Sequence, residues 1–183
     1  MPSPYSIRNI SYFLIAFGLC IIIHESMHAF IALLFREYNG FIFRIIGFEV
    51  LFKTSASKRE GMKWLFISGS ASFVTLFLGY ILFTVRDKIA IIKRLYLKAI
   101  IYWSTIILML SDALNLSIGS FIYGGDINGV TTALHVNQYT IQAIFFIIFL
   151  LNRELVAQKF LPVFGIKTDH PLFRPWMKIP LNK

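Results

Sequence analysis

The sequence predicts an all-α integral membrane protein with about four transmembrane helices, built as one domain of 183 residues. Three observations predict this. Hydrophobic residues make up 57% of the chain and charged residues 15%, with mean hydropathy +0.69, a composition typical of polytopic membrane proteins. Four apolar runs recur along the chain, and the first exceeds the roughly 20 residues that a helix needs to cross a bilayer. Lys and Arg gather in the segments between and after these runs.

Taken in order, Met1 to Ile10 is a short lead with one Arg. The apolar run behind it is too long for a signal-peptide core, so no cleavable signal is expected. Ser11 to Phe35 reads as the first span, ended by Arg36-Glu37-Tyr38-Asn39-Gly40, which offers a charge pair at the interface and an Asn-Gly turn signal. Phe41 to Phe52 is too short to span. Its β-branched and aromatic content around Gly47 suits a short β-hairpin or re-entrant strand pair, or else a plain interfacial segment. As a hairpin, its edge can pair with an extended substrate by strand addition.

Lys53 to Lys63 reads as a basic loop, and Trp64 to Val85 as the second span, with Trp64 as an interfacial anchor. Ser68-Gly69-Ser70-Ala71-Ser72 forms a small-residue patch that lets another helix approach closely, the first span being the expected partner. Arg86 to Lys98 is a basic loop, and Leu95 to about Leu116 the third span. Ser117 to Gln138 has no Lys or Arg and is glycine-rich, the expected re-entrant loop before the last span, which runs from Tyr139 to about Leu151. The core is expected over about residues 11–157, with 158–183 as a basic tail.

With four spans, the lead, the second loop and the tail share one side and carry twelve of the 18 Lys and Arg residues, against six in the first loop and none in the third. That bias favours both termini in the cytoplasm, in the cell membrane. The net charge of +9 fits loops beside an anionic leaflet rather than nucleic-acid binding. The single cysteine, Cys20, excludes an internal disulfide and a cysteine-based zinc cage.

The chemistry centres on His24-Glu25-Ser26-Met27-His28 within the first span. On a helix, His24 and His28 are four residues apart, so both imidazoles leave one face and can share a metal ion. Glu25 stands about a hundred degrees round, within reach of a water on that ion. A charge at the bilayer centre costs from about 2.5 kcal/mol upward, so ionisable residues there usually mark a site. The incidental alternative is a pair of interior histidines without a ligand role.

A catalytic zinc needs a third protein ligand and an open position. Asp126, in Tyr123-Gly124-Gly125-Asp126-Ile127-Asn128-Gly129, is the first candidate, because glycines let the chain fold back beside the histidines. The alternatives are Asp112, near the end of the third span, then His135. His170 reads as a tail histidine.

At these residues the chain resembles the site-2 protease family of intramembrane zinc metalloproteases, in a small prokaryotic form. The first motif of that family matches in full at His24, Glu25 and His28. Asn115-Leu116 followed by Gly125-Asp126 is similar to the second motif. It lacks the proline between Asn and Asp, has a longer gap, and places Gly before the Asp. Gly69-Ser70-Ala71 stands where relatives carry a Gly-Pro-small patch. The likeness runs from about Ile21 to Val130 and leaves the tail uncovered. It implies Zn2+ on His24, His28 and Asp126, with Glu25 as general base and Asn115 orienting substrate or oxyanion. It also implies a locally unwound transmembrane protein substrate. A homo-oligomer or a regulatory membrane partner is compatible with a chain this small.

A second class of function stays open, a non-proteolytic metal-binding membrane protein acting as an interaction partner. Four spans without an internal repeat argue against a transporter. Four histidines are too few for a di-iron hydroxylase.

Overall fold

A computed structural model describes residues 7–44, 47–55, 58–121, 125–167, 170 and 173–177. Most of the N-terminal lead, Tyr123-Gly124 of the glycine-rich stretch and part of the basic tail lie outside the described residues. The architecture is α-helical: α1 (Ile7–Leu34), α2 (Met62–Thr84), α4 (Leu95–Ser117) and α6 (Gln138–Leu155) are the long helices. Two strands, β1 (Tyr38–Phe43) and β2 (Phe48–Phe52), follow α1, while the short helices α3 (Arg86–Ala90) and α5 (Gly125–Leu134) precede α4 and α6. Four helices are long and apolar enough to cross a membrane: Arg8–Leu34, Met62–Thr84, Leu95–Ser117, and Gln138–Phe164, in which α6 continues through a π turn and a 3-10 turn.

The helices turn small residues inward and large ones outward. On α1, Ala16, Cys20, Ala29 and Ala32 are buried, whereas Leu14, Ile22, Phe30 and Leu33 are exposed. Large apolar side chains on the outside suit lipid, and small ones inside let backbones approach. One close approach joins α2 to α4, where a Cβ on Gly79 would lie 3.0 Å from the Leu108 carbonyl carbon and the Met109 nitrogen. Polar cross-links reinforce the bundle. Asn152 on α6 donates to the Met109 carbonyl at 2.7 Å and accepts from the Tyr80 hydroxyl at 2.6 Å, joining three helices at one side chain.

Arg8, Leu95, Lys98 and Phe164 line one small cavity, so the start of α1, the start of α4 and the end of the last span meet at one end of the bundle. That is the up-down alternation expected of four consecutive spans.

Helix α1 stops with Arg36 in the left-handed region (φ 60), as Glu37 N–H returns to the Ala32 carbonyl at 2.8 Å and Arg36 N–H to Leu33 at 3.0 Å, a Schellman closure. The expected hairpin is present: β1 and β2 pair antiparallel, Phe41 opposite Val50. Asn39-Gly40 does not make its turn. Those residues lie in β1, where Gly40 (φ 135) takes up a register irregularity, and the chain reverses beyond Arg44 instead.

Three further expectations are corrected. Arg36 and Glu37 do not form an interfacial pair: Glu37 is buried and bonded to Lys63 Nζ at 2.5 Å and to Thr54. Trp64 is no lipid anchor. It is fully buried against Ala32, Ile67 and Ala133 because α5 and α1 both cover that face of α2. The glycine-rich stretch contributes a helix, α5, whose Ile127, Val130 and Ala133 recur every third residue and face inward.

The tail is partly docked. Buried Arg153 donates to the Arg174 carbonyl at 2.6 Å and lies 4.3 Å over the Trp176 ring, while Glu154 accepts from Trp176 N–H at 3.1 Å.

Candidate metal centre

Helical spacing places His24 and His28 on one face of α1, and α2 then aims the second ring. His28 Nδ1 donates to the Ile67 carbonyl at 2.6 Å, a bond buried inside the bundle. With its proton on Nδ1, the neutral ring has a bare lone pair at Nε2. His24 is held in the same sense from the other side, its Nδ1 3.1 Å from Asp112 Oδ1.

The two Nε2 atoms therefore face each other, 3.1 Å apart. Asp126, in the first turn of α5, completes the group: Oδ2 lies 3.3 Å from His24 Nε2 and Oδ1 lies 3.1 Å from His28 Nε2. Among the described residues, these three side chains are the group whose geometry can hold a metal ion. With both Nδ1 atoms as donors, three acceptors converge with no donor between them, an arrangement that calls for a cation. Ligand atoms about 2.0–2.1 Å from one tetrahedral zinc lie roughly 3.3 Å from one another. The spacing of the two Nε2 atoms fits that edge length, and each Asp126 oxygen lies at about that distance from one of them.

Asp126 reaches this point because α5 packs tightly on α2. A Cβ on Gly129, one turn beyond Asp126, would stand 2.7 Å from the Ser68 Cβ. Gly69 faces Val130 in the same contact. The small-residue patch of α2 thus receives α5 at Ser68 and Gly69, not the motif helix alone as the sequence suggested. No other residue type fits at Gly129 without separating the helices.

Glu25 points beside the histidines into the same cavity of about 1370 Å³. Its Oε2 accepts from the Val50 backbone N–H at 3.0 Å, which fixes the carboxylate against β2. That amide points away from β1, so the outer edge of β2 faces the cavity. Asn115 lines the same cavity on α4, as do Thr75 and Arg59.

The alternative ligands separate cleanly. Asp112 approaches His24 on Nδ1, the opposite side of the ring from the ligand cluster, so it is not placed as a third ligand. His135 is exposed and forms the left-handed end of α5 (φ 53), where Val136 N–H returns to the Thr131 carbonyl at 3.3 Å. His170 is exposed in the tail and does not line the cavity.

No protein-family model, curated protein or solved structure matches this chain. The functional reading therefore stands on the residues and their geometry.

Sequence reasoning missed three participants. The Val50 N–H and the Ile67 carbonyl are backbone groups, to which any side chain in those positions is blind. Thr75 was accessible in principle, as a polar residue amid the apolar second span.

Proposed function

We propose that this protein is an intramembrane zinc metalloprotease that hydrolyses peptide bonds within or near transmembrane segments of other membrane proteins. One observation carries the reading: three acceptor side chains converge at 3.1–3.3 Å beside a glutamate, in a large cavity among helices apolar enough to span a membrane. Zinc held by His24, His28 and Asp126 would polarise a carbonyl and lower the pKa of a coordinated water to about 7.

The chain supplies the rest. Glu25 accepts the proton of the attacking water and returns it to the leaving amine nitrogen as the peptide C–N bond breaks. The Val50 N–H keeps one oxygen of Glu25 engaged, so the other is the oxygen that moves the proton. Along the outer edge of β2, backbone groups beyond Val50 can pair with a substrate unwound into an extended strand, which exposes the scissile carbonyl. Asn115, on the cavity wall, is suited to orienting that carbonyl. The cavity, walled by α1, α2, α4, α5 and the hairpin, gives the water that lipid excludes a place to enter.

The same reading gives a multi-pass protein of the cell membrane with both termini cytoplasmic. The excess of Lys and Arg at the end of the bundle that holds the starts of α1 and α4 supports it.

The test uses the full chain in detergent micelles with fluorescence-quenched apolar peptides rich in β-branched residues. Wild type loaded with zinc should cleave, and Glu25→Gln should bind the same zinc without cleaving. Equal cleavage by Glu25→Gln would remove the general base and the protease reading. Zinc binding without cleavage by either form would favour a non-proteolytic metal-binding partner.

A further inference from the structure

We infer that Asp112 is a positioning residue that fixes His24 for metal binding, and that Thr75 in turn fixes Asp112. The inference rests on the metal-site part of the proposed function and not on peptide hydrolysis. An imidazole can offer one nitrogen to a metal only while the other keeps its proton or is otherwise satisfied. The Nε2 of His24 faces His28 and Asp126, and its Nδ1 faces Asp112 Oδ1 at 3.1 Å. An ionised carboxylate only accepts hydrogen bonds, so this contact assigns the His24 proton to Nδ1 and leaves Nε2 bare for the ion.

Asp112 is buried, 6% exposed, on a helix apolar enough to span a membrane. A carboxylate there is costly unless each oxygen is engaged. Both are: Oδ1 by His24 and Oδ2 by the Thr75 hydroxyl of α2. The chain Thr75–Asp112–His24 therefore runs through α2, α4 and α1 to the ligand cluster. The two histidines are treated differently, since His28 bonds a neutral carbonyl and His24 a carboxylate. A carboxylate partner makes the imidazole the more basic ligand and locks its ring orientation, and losing such a partner typically weakens metal binding about 10–100-fold.

The experiment measures zinc affinity of the purified full chain by competition with a chromophoric chelator. It compares wild type with Asp112→Ala, Asp112→Asn, Thr75→Val and His28→Ala, alongside the thermal unfolding of each metal-free protein. Asp112→Ala should keep one zinc per chain but bind it about 10–100-fold more weakly. Asp112→Asn, whose side-chain oxygen still accepts the Nδ1 proton, should recover most of that loss. Thr75→Val should fall between wild type and Asp112→Ala. Nitrogen-15 resonances of His24 in the zinc form should show the Nδ1-protonated, Nε2-coordinated tautomer in wild type and Asp112→Asn, and a share of ring-flipped His24, protonated on Nε2 and coordinated through Nδ1, in Asp112→Ala. A role confined to tying helices together would lower the unfolding temperature and leave affinity and tautomer unchanged, which overturns the inference. Loss of stoichiometric zinc, as in His28→Ala, would make Asp112 a ligand and also overturn it. Failure of wild type to bind zinc would overturn the metal site and this inference together. Zinc binding with cleavage surviving in Glu25→Gln would sink only the protease reading.

Discussion

Glu25 on α1 accepts a hydrogen bond from the Val50 backbone amide at 3.0 Å, although 25 residues separate them in the chain. The hairpin is thereby part of the site rather than a connection between helices. Its second strand holds the carboxylate that follows His24 in the motif, and offers its outer edge to whatever enters. In Glu25→Gln the amide oxygen still accepts from Val50, so the side chain keeps its place and loses only its basicity. Cleavage should fall about 10²–10⁴-fold. Zinc content, read by elemental analysis on the same sample, should not change.

Helix packing sets the third ligand. Gly129 leaves no room for a Cβ against Ser68, and Asp126 lies one turn before it on α5. Gly129→Ala should destabilise the protein by about 1–3 kcal/mol through overpacking. It should also weaken zinc binding by tilting the first turn of α5. Combining it with Ser68→Gly, which removes the opposing Cβ, should restore most of both quantities. Unfolding temperature and chelator competition on the single and double variants decide this, and an unrescued double variant would point to another cause.

Glu37 joins the hairpin to the start of α2. Its carboxyl accepts from Lys63 Nζ at 2.5 Å and from the Thr54 hydroxyl and amide at 2.8 and 3.2 Å. The Lys63 ammonium, then the Thr54 donors, hold its carboxyl below the usual carboxylate range. A carboxylate depressed on folding contributes stability above its unfolded pKa and loses it as pH falls through the folded value. Wild type should therefore unfold at higher temperature than Glu37→Gln at pH 7. The gap should close as pH is lowered below about 4.3, the ordinary glutamate value. A gap that persists or widens in acid would contradict the assignment.

The four spans were legible because lipid imposes long apolar runs, and the boundaries of α2 and α4 fall within two residues of those the hydropathy suggests. His24, Glu25 and His28 were legible because helical spacing alone puts them on neighbouring faces. Asp126 was harder. The glycines around it read as a loop, yet Ile127, Val130 and Ala133 carry a helical period that builds α5. Trp64 was misread because an aromatic at a span boundary marks the interface only when nothing packs over it. Here α5 does, through contacts between residues far apart in sequence. The role of Asp112 lay beyond sequence for a similar reason: its distance along the chain says nothing of which ring nitrogen it meets.

His135 provides a control for that distinction. It is exposed and closes the end of α5, so His135→Ala should leave zinc stoichiometry and affinity unchanged within about threefold, well short of the 10–100-fold loss expected on removing a supporting partner. Chelator competition reads both variants on one scale. A loss as large as that of His28→Ala would bring His135 into the site and displace the geometry described above.

The most direct test of the central claim is the zinc content of purified full-length protein after zinc is supplied and excess removed. It should be run for wild type and for His24→Ala, His28→Ala and Asp126→Ala. The account predicts about one zinc per chain in wild type and stoichiometric binding lost in each variant, as expected when one of three protein ligands is removed. Zinc absent from wild type, or retained in full by Asp126→Ala, would contradict it.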